Sequence, residues 1–385
     1  MSLPEGWRET TLGELINIFN TRRIPLSKQE RQKIKGIYPY YGASNIFDYI
    51  NDYIFDGEYL LISEDGENLN TRNTPIAFMV NGKFWVNNHA HIVQGKNKHL
   101  TKYLALYFSQ LDVSPYITGA VQPKLSKTNL LQIPIVLSEN IEEQKAIANM
   151  LSSFDEKMEL LKEQNETLEQ MAQGVFREWF VDESWEVKTL GNIGKVITGK
   201  TPSTKKEEYW GNNLPFITPT DFKNYGKFTF SAIRFLSKDG KEKMKKSILP
   251  KDSILVTCIG SDMGKVVIST SECLTNQQIN SLILDDNYMI EYTYQYLKSI
   301  YSYLRNIALG GSTMPIINKS SFEEIEITIP PKELLLKYNS IVNVLNEKLK
   351  NNISQIQTLQ KTRDTLLPKL MSGEVRVGGD CYRTD

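Results

Sequence analysis

The chain is poor in the residues that usually do chemistry. Its 385 residues include three cysteines and three histidines. Cys258, Cys273 and Cys381 show no CxxC zinc spacing, and three thiols build no disulfide framework. That usage points to a reducing compartment. A run of 18 apolar residues is also lacking, and the opening MSLPEGW has no charged-then-apolar signal pattern. No membrane span and a cytoplasmic location are therefore expected. Net charge is zero, with 45 basic and 45 acidic groups. A neutral chain is a weak nucleic-acid binder by itself, so any such binding would need partner subunits that supply positive charge.

What is present is enough apolar residue (40%) for packed cores, in a length that suits two to four domains. The chain also repeats itself. EGWRETTLGEL (Glu5 to Leu15) matches ESWEVKTLGNI (Glu183 to Ile193) at an offset of 178. Trp7 pairs with Trp185, Leu12 with Leu190 and Gly13 with Gly191. After each opening comes a mixed α/β segment. In residues 1–138 the runs EYLLIS, PIAFMV, KFWVN and AHIV read as strands, and KYLALYFSQL as a helix. In residues 183–330 LPFIT, SILVTCIG, KVVIST and SLIL read as strands, and Tyr292 to Ile307 as a helix. The strong match is confined to the openings and the closing segments, so the frames are shared and the middles differ.

Each copy ends in a long amphipathic helix. In residues 139–182 one seam runs Ile147, Leu151, Phe154, Met158, Leu161, Asn165, Leu168, Ala172, Val175, Trp179. The steps alternate between four and three, the left-handed coiled-coil pattern. Adding 191 gives, in residues 331–385, Tyr338, Val342, Leu345, Leu349, Asn352, Ile356, Leu359, Arg363, Leu366, Leu370, with Arg363 the poor fit. The first segment carries four basic and eleven acidic groups; the second carries nine and six. That asymmetry disfavours pairing of like copies. Each seam has one Asn near its middle, and an antiparallel register puts Asn165 opposite Asn352. Two such helices amount to a ruler between the halves. The plainer alternative is that each helix packs on its own globule.

At this point the residues resemble a known family, the specificity subunits of type I restriction–modification enzymes, over essentially the whole chain. The resemblance is carried by the paired openings, by TGKTPS (Thr198 to Ser203), EYWGNNLPFITPTDF (Glu208 to Phe222) and TNQQIN (Thr275 to Asn280). In the first half it is carried by LLISEDGENL, FWVNNHAHIV and QPKLSKTNL, and in the helices by EQKAIANMLSSFDEKMELLKEQ and LLPKLMSGEV. It implies an α+β fold with two mixed α/β target-recognition domains (1–138 and 183–330) related by a pseudo-twofold repeat. Two long antiparallel coiled-coil helices separate them. Each domain would read one half of a bipartite site in double-stranded DNA. Methyltransferase subunits would dock on the helices and restriction subunits would complete the complex. The chain itself would be non-catalytic and hold no cofactor, with S-adenosylmethionine, ATP and magnesium on the partners. An alternative is a non-specific coiled-coil scaffold, or a degenerate family member without sequence readout.

Enzyme readings fare poorly on the residues. GKVITGKT (Gly194 to Thr201) fits GxxxxGK[ST], but Pro202 and the polar stretch after it cannot build the long helix a phosphate loop needs. TGKTPS reads better as a tight DNA-facing loop with Lys200 on a phosphate. Glu64, Asp65 and Glu67 cluster, yet Gly66 marks a turn, and the reading is a solvated or hinge loop. His89 and His91 flank Ala90 in a strand-like run that would point both rings to one face. Further metal ligands are lacking. Pro330-Pro331 is followed by Lys332, not by the aromatic of an adenine-methylation motif.

For reading bases, Asn and Gln suit adenine edges, while Arg and Lys suit guanine. The candidates are Asn87, Asn88 and His89 in the first half and Asn276, Gln277 and Gln278 in the second. Lys124, Lys200, Thr201, Lys205, Lys206 and Lys223 are candidate DNA contacts beside them. Lys227, Lys243, Lys245 and Lys246 are further phosphate-contact candidates. Tyr40 and Tyr41 read as packing residues. Glu142, Glu143, Glu159, Glu163 and Glu166 would form an acidic face toward the methyltransferase.

Overall fold

The computed structural model describes residues 3–119, 121–181, 184–260, 263–302 and 316–377. Two compact units emerge, 1–158 with 357–385, and 159–356. Each unit takes part of both long helices, which run Ile141–Trp179 and Lys332–Met371. Glu183, Cys381 and Ile307 lie outside the described residues.

In the first unit the opening strand Trp7–Thr11 pairs antiparallel with Pro134–Ser138. The main sheet is antiparallel, in the order Ile16–Ile18, Ala90–Gly95, Tyr59–Ser63, Ala77–Val80. Its inner strand YLLIS is buried at every position. Successive side chains point to opposite faces. Leu60 and Ile62 accordingly join Leu100, Tyr103 and Leu104 of the helix Lys98–Gln110. Tyr59 and Leu61 join Phe55 and Phe84 on the other side. Both faces are covered, which is why the segment is continuously apolar instead of alternating. A smaller sheet runs Ile46–Ile50, Lys35–Tyr41, Lys83–Val86, Phe55–Asp56, with its central pair parallel. Its Lys35–Ile50 hairpin, broken by register shifts and rich in Tyr, shows no clean alternation in sequence. Tyr40 is buried beneath it, and Tyr41 packs against Phe78 and Phe84.

The second unit repeats the main sheet strand for strand, and its smaller sheet keeps three strands of the first but carries its fourth on the opposite edge. Glu186–Thr189 pairs with Glu326–Ile329. The main sheet runs Gly194–Thr198, Ile279–Leu284, Ile254–Thr257, Val266–Ile268, again antiparallel. The smaller one runs Trp210–Gly211, Arg234–Leu236, Leu214–Ile217, Leu274–Thr275, and its last pair is parallel. The middles, which differ in sequence, therefore share the topology of the main sheet and three strands of the smaller one. A ladder is specified by backbone pairing and by which face is buried, and many apolar residues satisfy both. The helix expected from Tyr292 is Ile290–Ser299.

Within each unit the long helices run antiparallel. In the first, Ile147, Leu151 and Phe154 pack with Leu366, Leu367 and Leu370. Arg363, the misfit of the seam, donates to Asp155 at 2.5 Å. In the second, Leu168, Ala172 and Val175 share a core with Tyr338, Val342, Leu345 and Leu349. Tyr338 donates to the Ala172 carbonyl at 3.2 Å. Asn352, fully buried, donates its Nδ2 to Asn165 Oδ1 at 2.9 Å. Met158 and Leu161 are buried, and Ile356 and Leu359 are half-buried. A buried amide is costly unless paired. The Asn352 nitrogen is paired, while its buried Oδ1 meets no donor among the described residues. This contact, with Arg363 on Asp155 and Tyr338 on Ala172, fixes a register that apolar layers alone would leave free to slide.

Candidate nucleic-acid interface

The two polar runs singled out in sequence, VNNHAH and TNQQIN, occupy the same place in the two units. Each leaves a short parallel strand, turns through three polar residues and enters the second strand of the main sheet. Tyr41 O accepts from Asn87 N at 3.1 Å; Ile217 O accepts from Asn276 N at 3.1 Å. Asn87 Oδ1 accepts from His89 N at 2.8 Å; Asn276 Oδ1 accepts from Gln278 N at 3.2 Å. These side-chain-to-backbone bonds hold the turns in shape. Then Glu64 N donates to His89 O, as Cys258 N does to Gln278 O. Leu125 N donates to Glu64 O, as Ile317 N does to Cys258 O. Gly66 and Gly260 follow with φ of +103° and +92°, a region that suits glycine. By these bonds Asn87, Asn88, His89 and His91 correspond to Asn276, Gln277, Gln278 and Asn280.

Beneath each turn sits one buried polar anchor. His91 Nδ1 accepts from Asn20 Nδ2 at 2.7 Å, and its Nε2–H donates to the Leu125 carbonyl at 2.7 Å. Asn20 Oδ1 is committed to Ile92 N, which orients its amide and so assigns the ring tautomer. In the second unit Asn280 Oδ1 accepts from Thr198 at 2.7 Å, and its Nδ2 donates to the Ile317 carbonyl at 3.1 Å. An imidazole and an amide thus make the same acceptor–donor pair. Burial lowers the His91 pKa, an effect that outweighs the Leu125 bond and the Glu64 charge. With both nitrogens occupied, His91 is an anchor. His89, exposed in the turn, meets Asp65 at 2.8 Å instead. The two rings therefore do not share a face, as the strand reading had expected. Among the described residues no cluster of His, Cys, Asp and Glu could hold a metal.

The loops flanking the two turns differ in charge. Arg23 and Thr201 are counterparts at the 178-residue offset. Arg23 donates to Glu64 at 2.5 Å, to the Ala90 carbonyl at 2.9 Å and to the Asn88 carbonyl at 3.2 Å. Lys124 lies 3.4 Å from the same Glu64. Desolvation pushes the Glu64 carboxyl up, but the Arg23 hydrogen bond and the Arg23 and Lys124 charges pull it further down, and its pKa is lowered. Glu64 is thus a half-buried ion-pair centre, not part of a solvated loop. In the second unit Thr201 donates to Gln277 Oε1 at 2.6 Å. Gly199 there lies so close to the Thr275 and Asn276 carbonyls, 2.4 and 2.1 Å from an ideal Cβ, that a side chain would not fit. Lys200 N donates to Thr275 O at 2.8 Å, and its side chain is exposed. GKVITGKT is a strand followed by this loop, so it builds no phosphate loop.

The remaining candidates scatter. Lys205, Lys206 and Lys223 are exposed, with Lys206 3.5 Å from Glu208. Lys243, Lys245 and Lys246 are also exposed. Lys227 is 1% exposed and cannot meet a phosphate. It donates to Glu291 and, at 2.8 Å, to Asn346, while Asn346 donates to Glu291 at 2.8 Å. Nothing local in GKFTF announces this, because the partners lie 64 and 119 residues away. Glu143 is likewise buried, held by Arg376 and Ser138, and drops out of the acidic face. Arg22 and Arg23 were missed. Carrying the opening repeat's offset eight residues further, onto GKT, would have found them.

The chain belongs to the type I restriction modification DNA specificity domain family, whose model matches residues 4–170 and 182–360. It is 28% identical to the type I restriction enzyme HindI specificity subunit of Haemophilus influenzae, over 83% of this chain and 84% of that one. A putative specificity subunit from the same organism is 30% identical, covering 89% and 88%. The MjaIX specificity subunit of Methanocaldococcus jannaschii is 29% identical, covering 83% and 79%. The crystal structure of the type I restriction–modification S subunit from M. genitalium aligns with a TM-score of 0.63 at 19% identity, covering 96% and 98%. That likeness bears on the fold. Two specificity domains with long helices, and membership in a family of non-catalytic recognition subunits, follow from these matches. No helix of the described residues is long and apolar enough to cross a membrane.

Proposed function

We propose that this chain selects the DNA site of a type I restriction–modification complex, residues 1–138 and 183–330 each reading one half of a bipartite sequence. The observation that carries the reading is the pair of equivalent turns, one per unit, rich in exposed Asn, Gln and His, with the exposed cation Lys124 near the first and Lys200 beside the second. Amide side chains pair with base edges in the major groove, and the cations suit phosphates. Methyltransferase subunits dock on the helical segments and bring S-adenosylmethionine. Restriction subunits bring ATP and magnesium. The complex works in the cytoplasm.

The exposed carboxylates Glu142, Glu159, Glu163 and Glu166 suit a basic partner surface better than DNA phosphates. Reversing their charge lowers the yield of methyltransferase that co-purifies; an unchanged yield removes them from the interface. The length of the long helices sets the unread spacer. Seven residues inserted in register into both should change the spacer and leave both half-sites intact.

The defining test is binding with the methyltransferase bound, in rising salt. A specificity subunit keeps a preference for one bipartite duplex over random duplex as non-specific binding fades. A scaffold loses both together.

A further inference from the structure

The amides of the two turns differ in what their neighbours have already used. In the first, Asn87 Oδ1 is taken by His89 N. The Asn88 side chain makes no hydrogen bond to a described residue and is exposed, while Arg23 and Glu64 fix the backbone beneath it. Both ends of its amide are open, one acceptor and one donor. In the second turn each Gln oxygen already accepts one hydrogen bond, which turns it inward and leaves its NH₂ group the open end of the amide. Thr201 occupies Gln277 Oε1, and Asn276 Nδ2 occupies Gln278 Oε1 at 2.9 Å. The groups there that no described residue engages are donors: the two Gln NH₂ groups and the exposed Lys200 ammonium.

An adenine presents an acceptor at N7 beside a donor at N6, and an amide with both ends open matches it bidentately. A guanine presents acceptors at N7 and O6, which donors match. We propose that Asn88 is the adenine-reading residue of the first unit, and that Gln277, Gln278 and Lys200 read a guanine edge in the second. Thr201 acts there as a positioning residue, because its hydroxyl decides that Gln277 faces outward with its donor. The proposal rests on the reading of the chain as a specificity subunit and assigns that reading to particular side chains.

The experiment is to co-express the full chain with its methyltransferase subunit and map methylated adenines across host DNA, for wild type, Asn88→Ala, Asn88→Asp and Thr201→Val. All the altered side chains are exposed, and an unchanged melting midpoint and co-purification yield control for folding. Asn88→Ala should relax one A·T position in one half-site, losing roughly 5- to 150-fold in discrimination there. Asn88→Asp, an acceptor only, should turn that position against adenine. Thr201→Val frees Gln277 Oε1 and should let adenine replace guanine at one position of the other half-site only. Maps that match wild type, or that change in both halves at once, overturn the proposal. A wild-type map without any split motif would instead remove the specificity-subunit reading itself, so the two failures are distinguishable.

Discussion

The two units build one frame with different bonding currencies. In the first, the turn is held by charge: Arg23 bridges Glu64 and the turn carbonyls, Lys124 joins it, and His91 is the anchor. In the second, neutral groups do the same work: Thr201 on Gln277, Thr198 on Asn280. At the long helices both units use charge. In the second a buried Lys227–Glu291 pair is held by Asn346 of the helix Lys332–Met371. In the first Arg376, just past that helix, forms a half-exposed pair with Glu143 of Ile141–Trp179. Equivalent backbone therefore does not require equivalent electrostatics. It requires that each donor and acceptor be met, by whatever chemistry the local sequence offers.

Breaking these ties separately should rank them. The largest effect is expected from Lys227→Ala. It strands Glu291 in the core, and losing one member of a buried pair costs about 3–5 kcal/mol. Hydrogen exchange should show protection falling in the second unit and little changed in the first. Arg376→Ala comes next. Its guanidinium is half in water, but it donates twice to the buried Glu143, which would keep only Ser138 and the Val377 backbone. Leaving a buried group short of its partners costs about 1–3 kcal/mol. Melting of the first unit should shift accordingly.

The smallest effect is a slope. Burial lowers the pKa of His91 in the folded chain. A base with a lowered pKa stabilises fully above its unfolded value, about 6.5, and that contribution is lost as pH falls toward the folded value. Protection of the first unit should weaken from about pH 6.5 downward, and the second unit, with Asn280 in that place, should lack this step. His91→Asn should flatten the first unit's profile. An unchanged profile would mean that another group titrates.

The helical seam was legible because heptad spacing is written in the side chains themselves, and the two Asn positions carried the register with it. The strands of the main sheets were legible as apolar runs. The turn residues were legible as polar positions at the mouth of a strand. Their equivalence was not, because VNNHAH and TNQQIN share one aligned Asn and otherwise only a pattern. Arg23 was invisible without Glu64, and Lys227 was misread as a surface lysine, because burial there depends on partners far along the chain.

The measurement that tests the account most directly is the methyl-adenine map of the wild-type chain co-expressed with its methyltransferase subunit. One split motif is expected, with fixed bases in two blocks separated by a constant unread spacer. A single uninterrupted motif, or methylation without sequence preference, would contradict it.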